Sequence, residues 1–150
     1  MTNSTSTQMD TNKKTTIMED VKINVKIKLS ALWVAVLFLY IYVDYFTLYI
    51  PGHIEDILAG IVWKFQITQT WALSAMILMT IPIIMIFLSL TLKAKANRWT
   101  NIIVGILYIF VAIGNVIGEF WAFYIFGNIV EVLLLLLIVG YAWKWPKQEV

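Results

Sequence analysis

Residues 71–92 read WALSAMILMTIPIIMIFLSLTL, a run in which no side chain carries a charge. The charge-free stretch reaches back to Phe65, so it exceeds the length of about 20 residues that a helix needs to cross a bilayer. A barrel strand would need only about 10 residues, and their polarity would alternate. A helix satisfies every backbone group within its own segment, as hydrocarbon requires. The stretch therefore predicts a transmembrane helix over about Thr68–Leu92.

Three further segments have the same character, and each contains at most one charged residue, Asp44 in the first and Glu131 in the last. The whole chain is 61% hydrophobic and 13% charged, whereas a soluble domain carries about 25% charged residues. We therefore expect an all-α fold, an integral membrane four-helix transmembrane bundle. The expected spans are residues 29–50, 68–92, 100–118 and 121–143.

The Lys and Arg residues determine the expected orientation, because cytoplasmic loops are enriched in them. Of the 11 such residues, Lys64 alone falls on the other side of a four-span arrangement. We therefore expect both termini to lie in the cytoplasm. All seven tryptophans, Trp33 among them, also fall near the predicted membrane interfaces, where indole rings accumulate.

Two tails and one loop lie outside the expected spans. Residues 1–20 are rich in Thr, Ser and Asn, which predicts a disordered cytoplasmic tail; residues 21–145 form the transmembrane domain, and 146–150 a second tail. In the loop Pro51–Ile67, apolar residues recur at helical spacing, which predicts a short amphipathic helix at the outer interface. These apolar residues are Ile54, Ile57, Leu58, Ile61 and Phe65.

One face of the third span is small or polar, with residues spaced alternately by four and three positions. Such a face is expected to turn toward other helices, which leaves Ile102, Ile106 and Ile113 toward lipid. Gly114 and Gly118 form a G-x-x-x-G pattern, which permits close helix approach. The polar face consists of Asn101, Gly105, Tyr108, Ala112, Asn115 and Glu119.

Polar side chains fall at similar depth on all four spans, and we expect them to form one buried cluster. No Lys or Arg lies at this depth, so desolvation and mutual repulsion favour the protonated form of the two acids. Two interpretations remain open: a proton-coupled or cation-binding site, and protonated carboxyls that hold the helices in register. The candidate residues are Asp44, Glu131, Asn115, Asn128, Ser74, Tyr40, Tyr108 and Tyr124.

The sequence contains no motif of a soluble enzyme, such as a P-loop or a zinc-protease signature. With one histidine, His53, and no cysteine, too few ligands are present for most haem or metal sites. We therefore expect no cofactor. The expected surroundings are a lipid bilayer; a membrane-protein partner and a homo-oligomer both remain open, and nothing indicates nucleic acid.

The region from Val21 to Trp145 resembles an uncharacterised family of small bacterial four-span membrane proteins, a domain of unknown function. The matching segments are KIKLSALW at 26–33, NRWTNII at 97–103 and YAWKW at 141–145. The resemblance implies a bacterial inner membrane and no particular activity. At the level of the fold, the four-span arrangement is also similar to that of DoxX-like proteins and small multidrug exporters. Those exporters use a glutamate in the first span, where this chain has Asp44, so their mechanism is not transferred.

Three functions are compatible with these observations. The sequence favours a non-catalytic accessory or structural membrane protein. The first alternative is a small proton-coupled transporter or exporter that uses Asp44 and Glu131. The second is a membrane enzyme that acts on a lipid or quinone.

Overall fold

The structure is a computed structural model that describes residues 21–146. The tail predicted over residues 1–20 lies outside the described residues, as does nearly all of the predicted tail 146–150. Among the described residues, four helices are long and apolar enough to cross a membrane, so the fold is an all-α four-helix bundle. The elements are α1 (Val25–Thr47), α2 (His53–Leu58), β1 (Ile61–Val62), β2 (Phe65–Gln66), α3 (Gln69–Thr91), α4 (Ala94–Val116) and α5 (Ala122–Trp143).

The positions at which α1 and α3 begin depend on capping side chains as well as on hydrophobicity. The side chain of Asn24 accepts a hydrogen bond from the backbone N–H of Lys26, so α1 begins before the apolar run does. Thr68 caps α3 in the same way through Trp71. Helix α4 also begins earlier than the predicted span, at Ala94. The apolar pattern therefore located the helices, while the first turns of α1 and α3 depend on polar capping residues that hydropathy alone does not reveal.

The long helices lie in the order α3, α1, α5, α4 around the bundle, and α3 and α4 touch far less than the other neighbours do. We call the end that carries α2 and the two strands the hairpin end, and the opposite end, where Asn24 and Lys144 lie, the terminal end. Toward the hairpin end, the last hydrogen bond between α3 and α4 runs from the Tyr108 hydroxyl to the Leu78 carbonyl. Beyond it Asn115 is exposed, so the bundle is open there between α3 and α4.

Two glycines allow the closest helix contacts. A Cβ atom at Gly105 would lie 2.8 Å from the Val139 side chain, and one at Gly127 would lie 2.6 Å from the Val43 side chain. By contrast, nothing lies within 4 Å of a Cβ built on Gly114 or Gly118. The described residues therefore make no close helix contact at the G-x-x-x-G pattern, and Gly118 lies beyond the end of α4.

The loop at the hairpin end is helical only in its first part. The predicted helical spacing through Phe65 is wrong, since α2 ends at Leu58 and is followed by two antiparallel strands that pair Ile61 with Gln66 and Val62 with Phe65. Gly60, with φ of 81°, reverses the chain after α2. The tip of the hairpin places Trp63 at φ of 57°, a conformation that bulky residues rarely adopt.

The predicted polar face of α4 turns into the bundle at Asn101, Gly105, Tyr108 and Ala112, all of which are buried. Ile106 and Ile113 are exposed, as expected. The expectation for Ile102 is wrong, because only 4% of this side chain is accessible. Its position directly after Asn101 brings it to the edge of the same buried face.

A buried polar network joins α1, α3 and α4 near the terminal end. The Asn101 side-chain oxygen accepts hydrogen bonds from Trp33 Nε1 at 2.8 Å and Ser89 Oγ at 3.2 Å. Asn101 donates to the Asn97 side chain at 2.7 Å, and Asn97 donates to the Ser89 carbonyl at 2.6 Å. All four side chains are buried. Trp33 therefore faces the interior of the bundle, where its N–H finds a partner, and its depth near a membrane interface stays a prediction.

Candidate proton or cation site

A cavity of about 70 Å³ lies inside the bundle on the hairpin side of Tyr108. Seven of the eight candidate residues line this polar cavity, and Ser74 does not. Ser74 is exposed on α3, which contributes Leu78 and Met79 instead. The sequence groups Ser74 with the other candidates only because of its similar depth in the bundle. Depth does not determine which way a side chain faces. The lining residues are Tyr40, Val43, Asp44, Leu78, Met79, Tyr108, Val111, Asn115, Tyr124, Asn128 and Glu131.

Glu131 is the most enclosed acid of the cavity, with 6% of the side chain accessible. Its Oε1 accepts a hydrogen bond of 2.6 Å from the Tyr40 hydroxyl. The other carboxyl oxygen has no hydrogen bond to any residue in the described part of the chain, and the side chain lines the cavity. One oxygen is therefore held by the protein while the other is free to bind a proton, a water molecule or a cation.

The approach of α1 to α5 explains why Tyr40 reaches Glu131. Gly127 lies one helical turn before Glu131 and faces Val43, which lies one turn after Tyr40. A larger residue at position 127 would require the Val43 side chain or the two helices to shift at this level. The hydrogen bond across the cavity thus depends on a glycine that carries no chemistry of its own.

Asp44 lies one turn beyond Tyr40 on the same face of α1 and is more exposed than Glu131. Both acids line the polar cavity, but within residues 21–146 no hydrogen bond joins them. Asp44 also lines a second cavity, of about 420 Å³, toward the hairpin end. We call this second space the vestibule; it shares Asp44, Met79, Asn115 and Tyr124 with the polar cavity.

Three of the remaining candidates hold neighbouring segments together. The Asn128 side chain donates a hydrogen bond of 2.7 Å to the Ala112 carbonyl, which joins α5 to α4. The Tyr108 hydroxyl joins α4 to α3 through the Leu78 carbonyl. Tyr124 packs its ring against Trp63, with centroids 5.9 Å apart. These contacts join α5 to α4, α4 to α3, and α5 to the hairpin.

The ionisable groups in the lining of the polar cavity include acids but no base. Its lining contains two carboxyl groups and no Lys, Arg or His. A buried carboxylate without a basic partner is unfavourable unless a proton or a cation neutralises it. The volume accommodates a few water molecules, since one needs about 10–15 Å³ by this measure, but no drug-sized ligand, which needs about 300 Å³ or more. The arrangement is thus suited to protons or small hydrated cations.

Comparison with known proteins places the chain in a family. A family model described as "Family of unknown function (DUF6326)" matches residues 16–150. The chain belongs to the DUF6326 family. The resemblance to an uncharacterised family is confirmed, and a bacterial source stays a prediction. No curated protein and no solved structure matches the chain.

Sequence reasoning missed several residues of this DUF6326 protein that shape the site. Gly127 could have been found from its spacing of four before Glu131, which places both on one face of α5. The sequence places the vestibule residues Trp63 and Trp71 near a predicted membrane interface, and no periodicity indicates that they border the same space. Outside the site, the buried pair Ser89 and Asn97 also gave no signal, because each belongs to a short polar segment near a helix end.

Proposed function

We propose that the protein is a small proton-coupled membrane transporter whose proton site is Glu131, with Asp44 on the path toward the hairpin end. The observation that supports this most directly is the second carboxyl oxygen of Glu131, which has no partner among the described residues. It belongs to a nearly buried side chain beside a cavity that accommodates a few water molecules and has no basic residue in its lining. Intramembrane acids in such surroundings typically belong to proton relays or ion pathways. The adjoining vestibule provides a route by which water reaches the acid from one end of the bundle.

The hydrogen bond from Tyr40 supports the same assignment. A tyrosine hydroxyl can donate to a carboxylate and can accept from a protonated carboxyl group. The contact at 2.6 Å can thus persist in both protonation states, with only the direction of donation reversed. Such a partner keeps Glu131 in place while the proton is gained or released on the cavity side.

Labelling with a hydrophobic carbodiimide tests the proton site, because this reagent reacts with protonated carboxyl groups. The purified full-length protein in neutral-lipid nanodiscs should be modified at Glu131, with a rate that falls as pH rises through the titration of the group. Mass spectrometry of the peptide that contains residue 131 identifies the adduct. Glu131→Gln should abolish it, while Asp56→Asn, at an exposed acid on α2, should not.

A structural role for Glu131 is the second candidate, and the helix-to-helix hydrogen bonds of Tyr40, Tyr108 and Asn128 favour it. Under that role, the protein would support another membrane component, and Glu131→Gln would preserve its function at every pH. An unlabelled Glu131, or a labelling rate independent of pH, would contradict the proton site and leave this second role.

A further inference from the structure

The vestibule differs from the polar cavity in size and in the character of its walls. Its volume of about 420 Å³ falls in the range of small-molecule sites, about 300–1,000 Å³. It is bordered by α1, α3, α4 and α5 and by the segment from α2 to the hairpin. Four aromatic side chains line it, namely Trp63, Phe65, Trp71 and Tyr124.

The lining of the vestibule contains no Lys or Arg. Asp44 is the one acid in its lining, and His53 is the one basic side chain. Lys64 and Glu119 lie in the wall of a neighbouring cavity rather than here. The Asp44 carboxyl has no hydrogen bond to another described side chain. A half-open cavity with aromatic walls and a single unpaired carboxylate is the kind of site that attracts a positive group to ring faces and to the acid together.

We propose that the vestibule binds an apolar organic monocation, such as a quaternary ammonium compound, with Asp44 as its counter-ion and the aromatic side chains as its walls. This inference rests on the proposed function, for which it names the class of substrate. Because Asp44 borders both spaces, a cation seated against it would lie next to the cavity that contains Glu131.

Other ligand classes fit the same walls less well. An anion would be repelled by Asp44. A divalent metal ion requires several oxygen or nitrogen ligands, and the described residues contain no group of three metal-ligating side chains. A neutral apolar molecule would cover Asp44 without neutralising it, which is unfavourable. An organic cation satisfies the carboxylate and uses the aromatic surface at the same time.

Equilibrium dialysis with a matched pair of probes tests the proposal. The full-length protein in phosphatidylcholine nanodiscs is dialysed against radiolabelled benzyltrimethylammonium, and against neopentylbenzene, in which carbon replaces the charged nitrogen. Empty nanodiscs give the background. We expect saturable binding of the cation and none of the neutral compound, because shape is equal and charge alone differs.

Three variants assign the binding to the vestibule. Asp44→Asn should weaken binding of the cation about tenfold through loss of the charge pair. Trp71→Leu should weaken it about threefold or more through loss of a cation–π contact. Asp56→Asn removes the same charge from the exposed side of α2 and should leave the affinity unchanged.

The outcomes separate this inference from the proposed function. Equal binding of both probes, or unchanged affinity in both Asp44→Asn and Trp71→Leu, would overturn the cation site and indicate an apolar groove. If the cation does not bind while Glu131 still shows pH-dependent carbodiimide labelling, the vestibule inference fails alone. If Glu131 is not labelled but the cation binds as expected, the proton site fails and the vestibule site stands.

Discussion

At the scale of single residues, the firmest feature of this protein is the buried network around Asn101. Its side chain uses both its oxygen and its nitrogen, and its partners Trp33, Ser89 and Asn97 come from three helices. A satisfied polar network inside an apolar bundle favours a single packing arrangement. Because the network lies far from the vestibule, it also offers a structural comparison for the residues of the candidate site.

Asn101→Ala should therefore destabilise the protein strongly for a single substitution. It leaves the Trp33 N–H and the Ser89 hydroxyl without partners, and each buried unpaired group costs about 1–3 kcal/mol. The free energy of unfolding in mixed micelles, measured by denaturing-detergent titration, gives the value. Ser74→Ala, at an exposed site on α3, should change it little; equal effects of the two substitutions would show that the network contributes nothing specific.

At the scale of helices, contact distances determine whether the acids meet their partners. Gly127 lets α5 approach α1 so closely that an added Cβ would lie 2.6 Å from Val43 Cγ2, and the bond between Tyr40 and Glu131 lies one turn away. Helices in membranes commonly meet at such small residues. The carboxyl group is thus positioned by packing as much as by its own hydrogen bond.

Gly127→Ala should separate α1 from α5 and break the bond between Tyr40 and Glu131, although alanine favours helix formation by about 1 kcal/mol. The double variant Gly127→Ala with Val43→Ala should recover stability, because the second change restores the space. Gly114→Ala is the control, since nothing lies within 4 Å of the added atom. Unfolding titrations of the four proteins test this; destabilisation that Val43→Ala does not relieve would contradict the packing argument.

The same elements show how much the sequence could predict. Long apolar runs located four helices. Spacings of four and three residues placed Tyr40 with Asp44 and Asn128 with Glu131 on common faces, because these depend on local periodicity. The position of Trp33 in the core was not predictable, since it depends on which helix lies opposite. The hairpin was missed because two turn residues, Gly60 and Trp63, adopt positive φ values that apolar spacing does not reveal.

At the scale of the whole molecule, positive charge is concentrated at one end of the bundle and the two cavities lie toward the other end. Every Lys and Arg among the described residues lies at the terminal end except Lys64, and both cavities lie toward the hairpin end. At the terminal end, Lys26 donates hydrogen bonds to the carbonyls of Leu90 and Leu92 at the end of α3. If positive charge marks the cytoplasmic side, the vestibule opens away from the cytoplasm, which would deliver external protons and cations to Asp44 first.

Single-cysteine variants test this orientation and the opening of the bundle together, because the natural chain contains no cysteine. An impermeant thiol reagent added to intact cells should modify Asn115→Cys, since position 115 is exposed beside the gap between α3 and α4. It should modify Lys95→Cys only after the cells are permeabilised. Val36→Cys, whose side chain is fully buried, should resist the reagent under both conditions and thereby control for non-specific access.

The pattern of labelling distinguishes a reversed orientation of the protein from a closed gap between α3 and α4. If Lys95→Cys reacts in intact cells and Asn115→Cys does not, the orientation is reversed, and the vestibule faces the cytoplasm. If Asn115→Cys resists the reagent on both sides while Lys95→Cys behaves as expected, the orientation holds, but the gap between α3 and α4 is closed to water. Closure would remove the aqueous route to Asp44 and Glu131 on which proton coupling depends, so reactivity at position 115 is the necessary condition for the proposed transport.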